Sequence, residues 1–204
     1  MSRTFPGIPW CRYADDGLVH GKTEQAAQAL KAALAARLTE CGWELHPDKT
    51  KIGYCQDGSR KGTYPNTQFD GLGYPFRPRV VKHRKRNSVC VNFTPAVSSA
   101  ALKAMRQTTR RRNFRNRTAL NLEDIARYHN PVLRGWLEYY GRYYPSAMYP
   151  MLRHFNQTLV AWAMRKYRRL KGHKVRASRF MEGLAKRQPP LFVHWQRGMV
   201  GAFA

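Results

Sequence analysis

"NLEDIARYHNPVLRGWLEYYGRYYP", residues 121–145, reads as helix, and its punctuation decides how much helix. Asn121 with Asp124 three residues on is the reciprocal pairing that opens a helix, here a short one to His129. Asn130 followed by Pro131 reads as a restart, asparagine as the cap and proline at the first helical position. In the second helix Trp136, Leu137, Tyr140 and Tyr144 share one face and are expected mostly as core. Tyr139 and Tyr143 fall on an adjacent strip.

The pattern continues on both sides. Downstream, Met148, Met151, Leu152, Phe155, Leu159 and Trp162 keep helical spacing on a third helix through to Leu170, and the tail from Lys171 is basic and less periodic. Upstream, residues 97–112 form a basic helix that runs into "RRRNFRNR". Before about residue 94 the period changes. "YADDGLVH" reads as two strands meeting at a turn containing Asp-Asp-Gly. Ala26, Leu30, Ala33, Leu34, Leu38 and Cys41 predict a helix between Lys22 and Cys41, stopped by Gly42. "WELH" and "KIGYC" are expected strands joined through "PDKT", and "DGSRKGTYPN" is a loop. "TQFDGLGYPF", "RVVKH" and "SVCVNF" are further strand candidates. The fold class is α+β, with strands and one helix first and helices after.

Charge divides the chain the same way. The 204 residues carry +25 overall. Residues 1–80 hold 11 basic and 8 acidic side chains, a net of +3, whereas residues 81–204 hold 26 and 4, a net of +22. A folded region this basic repels itself, and a polyanion is the usual compensation, with nucleic acid the first candidate. No apolar run of about eighteen residues argues for a membrane span. The N-terminus has no apolar stretch of the secretory kind. Cys11, Cys41, Cys55 and Cys90 never form a CxxC pair, which fits reduced thiols in a cytoplasm.

Against that background "RYADD" is an oddity: two of only twelve carboxylates, Asp15 and Asp16, stand side by side. Turn chemistry alone explains a bare Asp-Asp-Gly. Held at a strand turn, the same pair can ligate two divalent cations about 4 Å apart for in-line phosphoryl transfer, and Mg2+ suits carboxylate and water ligands.

"RYADD" with its following helix, "LHPDKTKIGYC" and "FDGLGYPFRPR" resemble the second half of the palm of group II intron reverse transcriptases. "NPVLRGWLEYYGRYYP" followed by "HFNQTLVAWAMRKYRRLKGHK" is similar to the maturase-specific region, the thumb, of the same proteins, and "RASRFMEGLAKRQPPLFVHW" resembles the tail of bacterial members. The resemblance implies a partial reverse-transcriptase palm over residues 1–94, a helical thumb over 95–172 and a basic tail over 173–204. It implies Asp15 and Asp16 as catalytic Mg2+ ligands, with Tyr13 the aromatic beside them. Lys49 with Thr50 is the Lys-Thr that follows the palm helix, where a lysine meets a phosphate or nucleotide. Leu72, Gly73 and Tyr74 stand at the primer grip. At Gly73 close approach of nucleic-acid backbone and a structural strand kink are equally good readings, and Gly71 replaces the family's usual bulky apolar residue.

The implied function is RNA-directed DNA polymerase activity of the two-metal type, a nucleotidyltransferase, with intron RNA binding for splicing and retrohoming. In the family a third aspartate comes from an earlier palm strand, and none of residues 1–14 is acidic. The two-metal site is therefore expected to be incomplete and the chain, N-terminally truncated relative to the family, to be polymerase-incompetent alone. A degenerate reading frame, a start placed too late and one piece of a split protein remain open. The alternative is a non-catalytic RNA-binding maturase module that stabilises folded intron RNA; a retron-type reverse transcriptase is weaker, because the "RGWLEYYGRYY" thumb argues against it. The tail has no paired cysteines and histidines for an endonuclease domain. Group II intron RNA is the expected partner, with a DNA target or primer and a separate fingers polypeptide as further ones, in a bacterial cytoplasm.

For RNA the candidates are Arg110, Arg111, Arg112, Arg115 and Arg117 at one helix end, and Arg165, Lys166, Arg168, Arg169, Lys171 and Lys174 at another. Phosphate neutralisation by such groups gives salt-sensitive affinity with little sequence information. Tyr139 and Tyr143 are the candidates for stacking. Either cluster alone is also what a solvated helix face looks like.

Overall fold

The computed structural model describes residues 5–60, 62–83, 87–201 and 203. The chain divides into two compact units, Met1–Gly71 with Arg77–Phe93, and Leu72–Phe76 with Thr94–Ala204.

In the first unit β1 (Trp10–Tyr13) and β2 (Asp16–Val19) pair antiparallel, Tyr13 opposite Asp16 and Trp10 opposite Val19. The turn is Ala14–Asp15, with Ala14 in the left-handed region at φ 51°. It therefore sits ahead of the expected Asp-Asp-Gly position, and Asp16 and Gly17 are strand residues. The register that achieves this sets half-buried Leu18 and Val19 opposite Cys11 and Trp10.

Helix α1 (Glu24–Glu40) follows the sequence reading. The Thr23 hydroxyl accepts from the Ala26 N–H as N-cap, and Gly42, at φ 76°, ends the helix after Cys41. On its apolar face Leu30 is buried, while Ala26, Ala33, Leu34 and Leu38 are half-buried.

The next two expected strands do not form. "WELH" is irregular, and "PDKT" makes a turn closed by the Thr50 N–H on the His46 carbonyl at 2.9 Å. "KIGYC" is held to the loop beyond it by the Tyr54 N–H on the Asn66 carbonyl (2.7 Å), the Asn66 amide on the Ile52 carbonyl (3.3 Å) and the Tyr54–Tyr64 ring pair. Pro65, beside that single backbone bond, has no N–H with which to extend it into a ladder.

Strands β3 (Phe69–Gly71), β4 (Tyr74–His83) and β5 (Ser88–Pro95) form a sheet in that order. The expected strand over 67–76 is cut at Leu72–Gly73, and its second half runs on into "RVVKH" as one strand. Both turn residues have positive φ, 52° and 78°. That is the two-residue hairpin geometry whose twist matches the flanking strands.

The second unit is helical. Helix α2 (Ser99–Arg112) is capped by the Ser98 hydroxyl on the Ala101 N–H, and Asn113 ends it in the left-handed region before a single 3-10 turn, Phe114–Asn116. Helix α3 (Leu122–Tyr140) opens on the expected Asn121–Asp124 capping box. It then runs through Pro131 without restarting. An interior proline costs about 3 kcal/mol, but Ile125, Ala126, His129, Leu133 and Leu137 form one buried face on both sides of it, and breaking the helix would unpack that face. Asn130 is not a cap. Its amide Nδ2 donates to the Leu191 carbonyl (2.9 Å) and its Oδ1 accepts from the Val193 N–H (3.2 Å), tying the C-terminal segment to α3.

After a 3-10 turn at Pro145–Met148, α4 (Tyr149–Lys166) buries Met151, Leu152, Phe155, Leu159 and Trp162. It stops at Lys166, and only a 3-10 turn, Arg168–Leu170, covers the remainder of the expected helix. The tail is structured: α5 (Lys174–Arg187) packs Ala177, Met181 and Ala185 inward, and a short α6 (Val193–Gln196) follows.

Phe155 lies among the rings of Phe114, His129, Phe192 and His194, with centroids 5.3 to 5.8 Å away. Beneath it, Asn156 Oδ1 accepts from His194 Nε2 (2.7 Å) and Trp195 Nε1 (3.1 Å), while the Asn156 amide donates to the Met199 carbonyl. Because that oxygen can only accept, His194 carries its proton on Nε2, and buried Nδ1 has no partner. No helix among the described residues is long and apolar enough to cross a membrane.

Candidate nucleic-acid interface

The carboxylate pair stands at the tip of the β1–β2 hairpin, where Asp15 and Asp16 are both exposed. Cross-strand pairing puts Tyr13 and Asp16 on the same face, with Cys11 and Leu18 behind them. Arg12 is directed elsewhere, its Nε donating to the Ala14 carbonyl at 2.7 Å. Carboxylate oxygens are what Mg2+ prefers. Among the described residues no group of three His, Cys, Asp or Glu side chains stands where it could hold a metal ion. Lys49 is exposed in the turn after α1.

Leu72, Gly73 and Tyr74 belong to the helical unit and dock on the end of α3. The Tyr139 hydroxyl donates to the Leu72 carbonyl (3.0 Å), the Tyr74 hydroxyl donates to the Tyr139 carbonyl, and the Ser98 N–H donates to the Gly73 carbonyl (3.3 Å). The Tyr74 ring packs on those of Tyr139, Tyr140 and Tyr143. Burial and these neighbouring phenols push the Tyr74 hydroxyl up to about 12. Gly73 has a local reason: its φ is 78°, and a Cβ there would meet the Tyr140 hydroxyl at 3.4 Å. Leu72 holds a left-handed conformation that is costly for a branched side chain, and half of its surface faces solvent. Tyr139 and Tyr143 are exposed, and Trp136, Tyr140 and Tyr144 are half-buried.

The two basic clusters adjoin. Trp162 Nε1 donates to the Arg117 carbonyl (3.3 Å), and Lys166 Nζ donates to the carbonyls of Thr118 (3.0 Å) and Leu120 (2.6 Å) while lying over the Trp162 ring. These bonds clamp the turn after α2 against the end of α4. Arg110, Arg111, Arg115 and Arg117 stand exposed on one side of the clamp, and Arg165, Arg168, Arg169, Lys171 and Lys174 on the other. Four candidates also have contacts within the protein: Lys166 is the clamp, Arg112 donates to the Tyr128 carbonyl at 2.9 Å, Arg165 donates to the Ala161 carbonyl at 3.4 Å, and Arg169 lies over the Phe180 ring at 5.6 Å. Among the described residues no carboxylate lies in ion-pair range of any of these basic groups; the helical unit's ion pairs are Arg127–Asp124 and Lys186–Glu182.

Sequence reading passes over Arg176 and Arg179, which with Lys174 line an open cleft of about 480 Å3 at the start of α5. The signal for that helix was the spacing Ala177, Met181, Ala185, faint because two of its three residues are alanine.

No curated protein and no solved structure matches the chain. Residues 102–180, from within α2 to the middle of α5 and including the whole clamped basic surface, match the family model of the group II intron, maturase-specific domain.

Proposed function

We propose that the helical unit is a maturase-type module that binds folded group II intron RNA and stabilises it for splicing. One observation carries this reading: the region similar to the maturase-specific domain is also the region where arginines and lysines from α2, α4 and α5 stand exposed in adjoining clusters without acidic partners. Residues 94–204 hold 22 basic and 4 acidic side chains, so phosphate contacts dominate affinity and shape supplies selectivity. The test is competition. Labelled group II intron RNA, folded in magnesium, is bound to the full chain and challenged with an unrelated structured RNA of equal length. Retention of the intron at equal phosphate concentration supports the proposal, and equal displacement by both RNAs removes its specific part.

A second reading is favoured by the exposed Asp15–Asp16 hairpin with Tyr13 alongside: the first unit is part of an RNA-directed DNA polymerase palm. In that reading Asp15 and Asp16 hold Mg2+, which supplies charge neutralisation for phosphoryl transfer, and a further ligand is required. Tyr13 borders the pair, Lys49 meets phosphate, and Leu72, Gly73 and Tyr74 bear on the primer. Primer extension on an RNA template, with an Asp15→Asn, Asp16→Asn chain beside it, tests this: extension by the parent that is lost in the double variant supports it and shows that a further ligand is supplied, extension that persists in the double variant counts against it, and none from either is what an incomplete ligand set predicts.

A further inference from the structure

Three residues of α3 share a strip, and of these the Tyr139 hydroxyl and ring are already engaged by Leu72 and Tyr74. At about 100° per residue, Tyr128, Gly135 and Tyr139 lie within about 40° of one another, away from the buried face. Tyr128 is 69% exposed and Tyr139 48%. They stand about 16 Å apart along the axis, eleven residues at about 1.5 Å each.

Between them Gly135 is unexplained by the fold. It lies mid-helix without a positive φ, and a Cβ built on it meets nothing within 4 Å. A glycine there weakens the helix, and neither strain nor packing requires one. What remains is close approach of another molecule to bare helix backbone.

The strip starts at the arginine surface. The Arg112 bond to the Tyr128 carbonyl and the Phe114–His129 ring contact (4.7 Å) both seat the end of α2 against this part of α3. Exposed Arg127 and Arg134 flank the strip, as do Asp124, paired with Arg127 at 4.0 Å, and Glu138.

We infer that this strip takes an unpaired stretch of RNA: Tyr128 stacks on a base next to the arginine surface, the strand crosses Gly135, and Tyr139 bounds the far end. A paired helix keeps its bases inside and offers a tyrosine face little to stack on, whereas unpaired bases stack on aromatics whatever their sequence. The inference rests on the RNA-binding reading and narrows its target.

The experiment compares the full chain with Tyr128→Leu, Gly135→Gln and a fourfold Arg110, Arg111, Arg115, Arg117→Ala variant. Each binds oligouridine and a blunt RNA duplex at equal phosphate concentration. Leucine keeps bulk without the aromatic face, and glutamine is a better helix former than glycine, so unchanged or raised melting temperatures confirm folded protein. Tyr128→Leu is expected to lose roughly five- to hundredfold for oligouridine, the range of one stacked base, and Gly135→Gln to weaken oligouridine binding as well, with duplex binding unchanged in both. Equal losses on both RNAs, or none on either, overturn the strip. The fourfold variant is expected to weaken both; if it weakens neither, the RNA-binding reading itself falls.

Discussion

Acid should loosen this fold through one buried histidine. His194 is enclosed in the core, with Nε2 bonded to Asn156 and Nδ1 facing no acceptor, and desolvation pushes its pKa down to about 3. In the unfolded chain an ordinary imidazole titrates near 6.5, so below that pH the unfolded state binds a proton that the native state refuses. Stability contributed by the neutral native form is therefore complete above about pH 6.5 and is lost as pH falls toward 3. At pH 5 the gap is about 1.5 pH units, and at about 1.36 kcal/mol per unit His194 alone removes about 2 kcal/mol. His129 and His154, both lowered chiefly by burial, act in the same direction. Urea unfolding followed by far-ultraviolet circular dichroism near pH 7.5 and near pH 5 measures the loss. His194→Gln retains a donor for Asn156 and cannot titrate, so it should recover about 2 kcal/mol of that pH dependence whatever its own stability. Identical losses in the parent and the glutamine chain would show that His194 is not held neutral.

Three further outcomes follow from single contacts. Lys166→Met removes the donor to the Thr118 and Leu120 carbonyls; thermal melting should show a loss of about 1–3 kcal/mol, and an unchanged midpoint would mean the clamp is not formed. Gly73→Ala must hold a positive φ, so a destabilisation of about 1–2 kcal/mol is expected by chemical unfolding. A neutral result there would remove the structural reason for that glycine. Asn130→Ala strips the two bonds to Leu191 and Val193, and amide exchange at Val193 should speed up at least tenfold while exchange in the middle of α4 stays slow.

The helices were legible where their causes are local. The Asn121–Asp124 and Gly42 signals and the apolar period of α1 and α4 act within a few residues, and each of these features stands where the sequence places it. What was missed depends on partners far along the chain. "KIGYC" has strand composition but finds a loop rather than a strand beside it. Pro131 carries a local stop signal, yet a buried face on both sides of it outweighs that signal. The helix at 174–187 hides behind alanines. At the candidate interface, composition found the basic groups but not their geometry. Charge alone cannot separate Lys166, spent on two backbone carbonyls, from Arg115, which faces solvent. Nor does sequence show that one tryptophan and one lysine bring two clusters side by side.

The central claim is that this basic surface binds RNA through its phosphates. Its most direct test is the salt dependence of RNA binding by the full chain and by the fourfold Arg110, Arg111, Arg115, Arg117→Ala variant. Each phosphate contact contributes about 0.7–0.9 to the slope of log affinity against log salt. The account predicts a steep slope for the parent and one shallower by roughly 3 for the variant. Equal slopes in the two proteins would contradict it.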